Sequence, residues 1–407
     1  MKYVVILGDG MADYPIPSLG GKTPLEAARK PVADSLARVS EVGLVKTVPD
    51  GMKPGSDVAN LSVLGYDPAV YYTGRSPLEA ASIGIALKES DLTLRANLVT
   101  LSDEADYAQK TMLDYSAGEI STEEAKELVS FLSDKLGNEA FSLYAGVSYR
   151  HCLVVENGKD GAEFTPPHDI SGKKVTSFLP KGENAAAFLA LMERSYRLLK
   201  DHPVNLARKA AGKNPANSLW LWGAGRKPKL DSFAGKFGKK GTMISAVDLL
   251  KGIGKLTGMD VPDVKGATGN YHTNFGEKAR IALQSLDSGA DFCYIHIEAA
   301  DECGHQGDLE HKIWSIEQID EKVLGTLKRE LDKRGEAYSL LFLPDHPTPI
   351  SVKTHVSDPV PYLLYRSGKT GAGAESYCEK AAKNTGVFLP RGPELMKRFL
   401  EIPQDKD

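Results

Sequence analysis

The chain has 407 residues, enough for one large domain or two medium ones, and 42% of them are hydrophobic, which supplies a core and rules out disorder as the main state. Fifty basic residues face 54 acidic ones and no run of Lys and Arg forms a stripe, so nothing points to a nucleic-acid or other polyanion partner. Cys152, Cys293, Cys303 and Cys378 are scattered without a CxxC pair, which argues against a disulfide framework or a thiolate zinc site and fits a reducing cytoplasm.

Tyr3 to Leu7 is a short, unbroken, β-branched run that reads as a buried central strand of a parallel sheet. An acid follows it almost at once, and the run is too short for a secretory leader. No stretch approaches the ~20 apolar residues of a membrane span, so a cytoplasmic protein with no membrane partner is expected. Thr23 to Val39 reads as a helix, with Thr23 as N-cap, Pro24 at the first position and Glu26 at the third. From about residue 90 to 215 the pattern changes. Strand-like runs (Leu92 to Leu101, Cys152 to Val155) and helices (Thr122 to Leu136, Ala185 to Lys200) are separated by clusters of Gly, Pro and charge, which reads as an inserted domain. Beyond it, Phe292 to Ile297 is an apolar run leading to Glu298 and Asp301, and Ser339 to Leu343 is another leading to Asp345 and His346. Pro361 to Tyr365 is a further run, and His311 to Leu331 has helical spacing of apolar residues. Strands alternating with helices predict an α/β fold with a mostly parallel sheet. Residues 403–407 are expected to fray.

Five features carry chemistry: Asp9 after the first strand, Ser56 in PGSDVANLS, Asp301 and His305 in AADECGH, Asp345 and His346 in LPDHPTP, and His355 in KTHVSDP. Most lie at or near strand ends, the edge where open α/β sheets bind ligands. Carboxylates with imidazoles suit Mn²⁺, Zn²⁺ or Mg²⁺ with open coordination positions. Asp301 and His305, four apart on a helix, can share one metal. Each piece alone has a plainer explanation: a helix cap for Asp9, a solvated pair for Asp301 and His305, turn chemistry for Asp345-His346 and for PGS. A serine beside two metals has a clear role, because coordination lowers the pKa of its hydroxyl and makes it a nucleophile. A phosphoryl group would then pass to Ser56 and on to a new acceptor or to water. No P-loop, protein-kinase signature or GxSxG elbow is present. GIGKLTG lies in a helical pattern, and the glycines of GATGN (266–270) are as well explained by a plain turn.

The motifs GDGMAD, PGSDVANLSVLGYDP, YYTGRSPLEAAS, SYRH, ISAVDLLKGIGKLTGM, GATGN with HTN, EAADECGH and LPDHPTPI with KTH resemble the archaeal-type, cofactor-independent phosphoglycerate mutases of the alkaline phosphatase superfamily. The resemblance runs from residue 8 to residue 355. It implies an alkaline-phosphatase-like α/β core, residues 1–88 and 216–407, with a smaller α+β substrate-binding cap, residues 89–215, inserted between. It implies two divalent metal ions and no 2,3-bisphosphoglycerate. One metal would be held by Asp301, His305 and His355, the other by Asp9, Asp345, His346 and the nucleophile Ser56. Lys251 is similar in context to a family lysine that polarises the serine and phosphate. The implied reaction interconverts 3-phosphoglycerate and 2-phosphoglycerate. DHPVN, PANSLWLWGAGR and LPDHPTPIS also resemble a bacterial branch proposed to act as homoserine kinase, which leaves a homoserine phosphotransferase or a related phosphatase as alternatives. For the substrate's anionic groups, planar guanidinium groups suit best. Arg150 with His151, Arg95, Arg75 and Arg208 are the candidates, with His168 and Asp169 as further lining.

Overall fold

Lys2–Gly8 forms the central strand, and its side chains from Tyr3 onward are buried. It pairs in parallel with Phe292–Ile297 on one side and with Tyr338–Leu343 on the other. The computed structural model describes residues 1–137 and 140–402, so the 403–407 tail lies outside the described residues. The full sheet runs in the order Gly241–Ile244, Phe292–Ile297, Lys2–Gly8, Tyr338–Leu343, Val360–Arg366, Glu41–Val45, Phe388–Leu389. The first four strands are parallel, Val360–Arg366 is antiparallel to both neighbours, and Phe388–Leu389 runs parallel to Glu41–Val45. The sheet is therefore mostly parallel. Val4, Ile6, Ile295, Leu340 and Phe342 pack under helices that include Phe275–Asp287 and Pro31–Ala37, so these strands are mostly apolar, with His296 and Ser339 as buried polar exceptions. Because the four parallel strands end at one edge, the residues following them (Asp9, Ser245, Glu298, Asp345) are brought to that edge together.

Two expected helices differ in detail. The Thr23 capping box is present, but the single helix expected over 23–39 is two, Pro24–Ala27 and Pro31–Ala37. Pro31 has no N–H for a continuing helix, and Lys30 before it leaves the helical region, with φ −130° and ψ 64°. The 311–331 pattern is one long helical run, Leu309–Gln318 and Gly325–Arg334 joined by a π-helical turn, Ile319–Leu324. That wider turn keeps Ile319, Val323 and Leu324 all buried.

The chain divides into two compact units, Met1–Tyr72 with Lys229–Asp407, and Thr73–Pro228. The insert is thus longer at both ends than the 89–215 expected. The helix Ser76–Ser82 belongs to it, because Ser76 Oγ donates to Thr93 O at 2.9 Å and Glu79 pairs with Arg95 at 2.8 Å. Ser218–Arg226 belongs to it as well, as a strand antiparallel to Leu92–Leu101. Leu92–Leu101 also pairs with Arg150–Val155, which pairs in turn with Phe141–Tyr144. Helices Thr122–Leu136 and Ala185–Leu199 supply Leu128, Leu132, Phe188 and Met192 to a core beneath this sheet. The insert is therefore an α+β unit with its own core. Among the described residues, no helix is long and apolar enough to cross a membrane. All four cysteines are free and buried.

Candidate functional site

Asp9 leaves the central strand through a tight turn. Gly10 has φ +63°, and a Cβ there would lie 2.6 Å from the Asp301 Cα, so only glycine lets the two loops approach this closely. Ser56 opens the helix Ser56–Val63, and its Oγ lies 3.3 Å from Asp9 Oδ2 and 3.3 Å from His346 Nε2. The Asp345 carboxylate is fixed from both sides. Its Oδ1 accepts from the backbone N–H of Gly10 at 3.2 Å and of His346 at 2.9 Å, and its Oδ2 accepts from Asn60 Nδ2 at 2.8 Å. Asn60 is itself held by Tyr294, whose hydroxyl donates to Asn60 Oδ1 at 2.7 Å. Asp9, Asp345 and His346 are fully buried.

A second group adjoins the first. Asp301 and His305 share a face of Ala299–Gln306, with Asp301 Oδ2 3.2 Å from His305 Nε2 and Asp301 Oδ1 3.4 Å from His355 Nε2. The two Nε2 atoms of His305 and His355 are 2.9 Å apart, and the His346 and His355 rings lie 4.0 Å apart, tilted by 31°. Ligand atoms of Asp9, Asp345 and His346 lie within 4.8 Å of one another, and so do those of Asp301, His346 and His355. The structure thus brings together the seven residues picked out from the sequence as metal ligands and nucleophile, with His346 reaching both groups.

Their surroundings shift the Asp9 and Asp301 carboxyls in opposite directions. Burial, then the charges of Asp345, Asp301 and Glu298, push the Asp9 carboxyl well above the usual range. Burial also works against Asp301, but hydrogen bonds from His305 and His355 outweigh it and hold that carboxyl well below its ordinary value. The same bond to Asp301 raises His305 to about 9. Asp9 Oδ1 is buried and accepts no hydrogen bond. Converging carboxylates, imidazole Nε2 atoms and one unmatched oxygen are the donor set of a hard or borderline divalent cation.

Several site residues were not singled out from the sequence. His296, fully buried, lies with Nε2 2.9 Å from Asp9 Oδ2 and Nδ1 3.3 Å from Ser245 Oγ. Burial pushes its pKa down to about 3, so it is neutral. Asp9, His296 and Glu298 form a third cluster of ligand type. Lys278, also fully buried, donates to His296 O at 2.7 Å. Burial lowers it to about 8 against the upward pull of Glu298, and the charge of Lys251 lowers it further. Lys251, half-buried on Asp248–Leu256, is therefore within electrostatic reach of this corner. The one visible signal for His296 was an imidazole inside an otherwise apolar strand. A Cβ on Gly269 of the GATGN loop would lie 4.0 Å from Glu298 Cδ, which puts that loop at the rim.

In the inserted unit the candidate arginines separate. Arg95 is 8% exposed, with its guanidinium 4.1 Å over the Trp222 ring and Nε 2.8 Å from Glu79 Oε2. Arg75 Nε holds the other oxygen of Glu79 at 2.9 Å, and Arg150 lies exposed over Tyr149 at 4.4 Å. Burial would raise Glu79, but Arg95, Arg75 and Arg150 together bring it below its ordinary value. Three guanidinium groups thus face one carboxylate, leaving surplus positive charge. His168 packs on Trp222 at 5.3 Å and pairs with the exposed Asp169. His151 follows Arg150 on the same strand and so points to the opposite face. It is buried, accepts from Gly146 N at 3.1 Å, and is pushed down to about 3. Arg208 is 4% exposed and donates to Glu124, Asn214 O and Ala117 O, so its guanidinium holds the unit's own fold.

Comparison with known proteins gives a consistent result. The family model described as 2,3-bisphosphoglycerate-independent phosphoglycerate mutase matches residues 37–205. The chain is 49% identical over 398 residues to the protein of that name from Methanosarcina barkeri, covering 97% of this chain and 98% of that one. It is 47% identical over 407 residues to 2,3-bisphosphoglycerate-independent phosphoglycerate mutase 2 of Methanothermobacter thermautotrophicus, covering 100% of this chain and 98% of that one. Among solved structures, a Pyrococcus horikoshii protein matches with a TM-score of 0.83 at 29% identity, covering 100% of this chain and 99% of that one. The cofactor-independent phosphoglycerate mutase from Thermoplasma acidophilum matches with a TM-score of 0.67 at 29% identity, covering 99% and 100%. With nearly half its residues shared over nearly its whole length, the chain belongs to the 2,3-bisphosphoglycerate-independent phosphoglycerate mutase family.

Proposed function

We propose that this chain interconverts 3-phosphoglycerate and 2-phosphoglycerate through a phosphoserine on Ser56, without 2,3-bisphosphoglycerate. The observation that carries the proposal is the meeting of Ser56 Oγ with Asp9 Oδ2 and His346 Nε2, both at 3.3 Å, in a chain of this family. The donor set fits two divalent cations, Mn²⁺, Zn²⁺ or Mg²⁺. Asp301, His305 and His355 would hold one, and Asp9, Asp345, His346 and Ser56 the other. Bound there, the cations lower the pKa of the serine hydroxyl and offset phosphoryl charge.

The chain's own groups do the rest. Asp9 Oδ2 and His346 orient Ser56 Oγ, which attacks phosphorus as the bond to the substrate's 3-oxygen breaks. The serine loses its proton and the departing glycerate oxygen takes one up. The glycerate turns, its 2-oxygen attacks the same phosphorus, and the Oγ–P bond breaks with the reverse proton exchange. Ser56 is the first residue of its helix, so the phosphoryl group on it sits where the helix dipole favours negative charge. Lys251 adds a positive charge to the phosphoryl oxygens. The Thr73–Pro228 unit acts as the substrate-binding cap, and Arg75, Arg95 and Arg150 recognise the substrate's anionic groups. Four free cysteines fit a reducing cytoplasm. The names of the relatives favour the mutase over the homoserine phosphotransferase and the phosphatase.

A coupled assay for 3-phosphoglycerate conversion, with metal-loaded protein and no 2,3-bisphosphoglycerate, tests this directly. Turnover is expected, and Ser56→Ala should lower it at least about a thousandfold. Absent turnover in protein shown to hold metal, or an active Ser56→Ala variant, would overturn the proposal.

A further inference from the structure

Two buried histidines flank Asp9, and each has a hydroxyl beside its Nδ1. The first is His346. Thr348 Oγ1 lies within hydrogen-bond reach of Asp301 Oδ1 and is 3.3 Å from His346 Nδ1. A carboxylate only accepts, so the single hydroxyl proton of Thr348 goes to Asp301. Thr348 Oγ1 must then accept from His346, which places that ring's proton on Nδ1. His346 Nε2 is left with a lone pair, facing Asp9 Oδ1 and Asp345 Oδ2 at 3.5 Å each.

The second is His296. Ser245 Oγ accepts from the backbone N–H of Val247 at 3.0 Å and lies 3.3 Å from His296 Nδ1. Donating its proton to His296 Nδ1 satisfies both groups. That places the ring's proton on Nε2, where it is given to Asp9 Oδ2 at 2.9 Å. The two hydroxyls therefore set the two rings to opposite tautomers.

We propose that Thr348 and Ser245 sort the histidines beside Asp9 into one ligand and one donor: His346 binds a cation through Nε2, and His296 is a positioning residue that turns Asp9 so that Oδ1 faces the cation. The cluster of Asp9, His296 and Glu298 then takes up no ion through His296. This inference rests on the two-cation reading of the site. It assigns to Thr348, Ser245 and His296 the second layer of contacts that fixes ring orientation and tautomer at metal sites.

The test reads tautomers directly. Metal-free protein labelled with ¹⁵N at its histidines is observed by long-range ¹H–¹⁵N correlation, with His296→Gln and His346→Gln identifying the two rings. His346 is expected as the Nδ1–H tautomer and His296 as the Nε2–H tautomer. Added Zn²⁺ should shift His346 Nε2 as a ligand and leave the His296 pattern in place. An Nδ1–H tautomer at His296, or a ligand shift there, would overturn the sorting. No response of any histidine to Zn²⁺ would instead overturn the metal reading, and with it the ligand half of the proposal. A second arm uses Thr348→Val, which keeps the shape and removes the hydroxyl, and Thr348→Ser, which restores it. Zn²⁺ affinity should fall about 10–100-fold in the first and stay within a few-fold of the parent protein in the second. Equal affinity in all three would overturn the role of Thr348.

Discussion

His305 and Asp301 show how strongly the site is set for a cation. In the metal-free protein the bond to Asp301 raises His305 to about 9, so the ring is charged at neutral pH. A ligating imidazole must be neutral, so metal binding has to expel that proton. Affinity at this position should therefore climb by about tenfold per pH unit below about 9 and level off above it. Below that, binding should release close to one proton from this ring. Calorimetry in two buffers of different ionisation heat checks it, since buffer-independent heats at pH 7 would contradict the assignment. At this scale the sequence was most informative where a proposed ligand closely follows an apolar run, as Asp9, Asp345 and His346 do. It was silent on Thr348, Ser245, Asn60 and Lys278. Their roles come from partners on other elements, 18 residues away for Lys278 and His296 and 285 for Asn60 and Asp345, and no local pattern records such a meeting.

Elements carry the next layer. The central strand delivers Asp9 because Gly10 can turn at φ +63° against the backbone of Asp301. Gly10→Ala should cost about 1–3 kcal/mol from the backbone conformation alone. It should also weaken metal binding, because the Asp9 loop must back away from the Ala299–Gln306 helix. Thermal melts with and without metal read both effects, and a variant with parent-like stability and affinity would count against this account. Strands and long helices were legible in the sequence because their apolar runs and helical periods are local. The break at Pro31 was legible too and was overridden by the helical spacing around it. The ends of the insert were not. Ser218–Arg226 reads as any buried strand, and only its pairing with Leu92–Leu101 assigns it to the inserted sheet.

For the molecule as a whole, the cost of enclosing carboxyl groups appears in the pH dependence of stability. Glu379 accepts from Asp13 N at 3.1 Å and from Thr23 Oγ1 at 2.7 Å, and burial of its carboxyl raises it to about 7. The folded protein then holds this proton more tightly than the unfolded chain does. Stability from this group is full below about pH 4.5 and is lost as pH rises towards 7. Glu379→Gln should remove that dependence and gain on the order of 1–3 kcal/mol over the parent protein at pH 8, with no gain at pH 4.5. Denaturant melts of metal-free protein at the two pH values decide it, and a gain of equal size at both would point to another cause. The order of the sheet could not be read from the sequence, because the same apolar runs fit several strand orders.

That order has a consequence during synthesis. Of the seven strands of this sheet, Lys2–Gly8 is made before both of its neighbours, and Asp9 waits 287 residues for His296. At ~5–20 residues per second, both edges of an apolar strand stay unpaired for roughly 15–60 s. The inserted unit meets all its strand partners between residues 92 and 226, so it can close while the first 72 residues remain open. An unpaired apolar edge of that lifetime invites pairing with other chains. The exposed interval of synthesis therefore belongs to a strand that ends up inside the sheet with both edges paired.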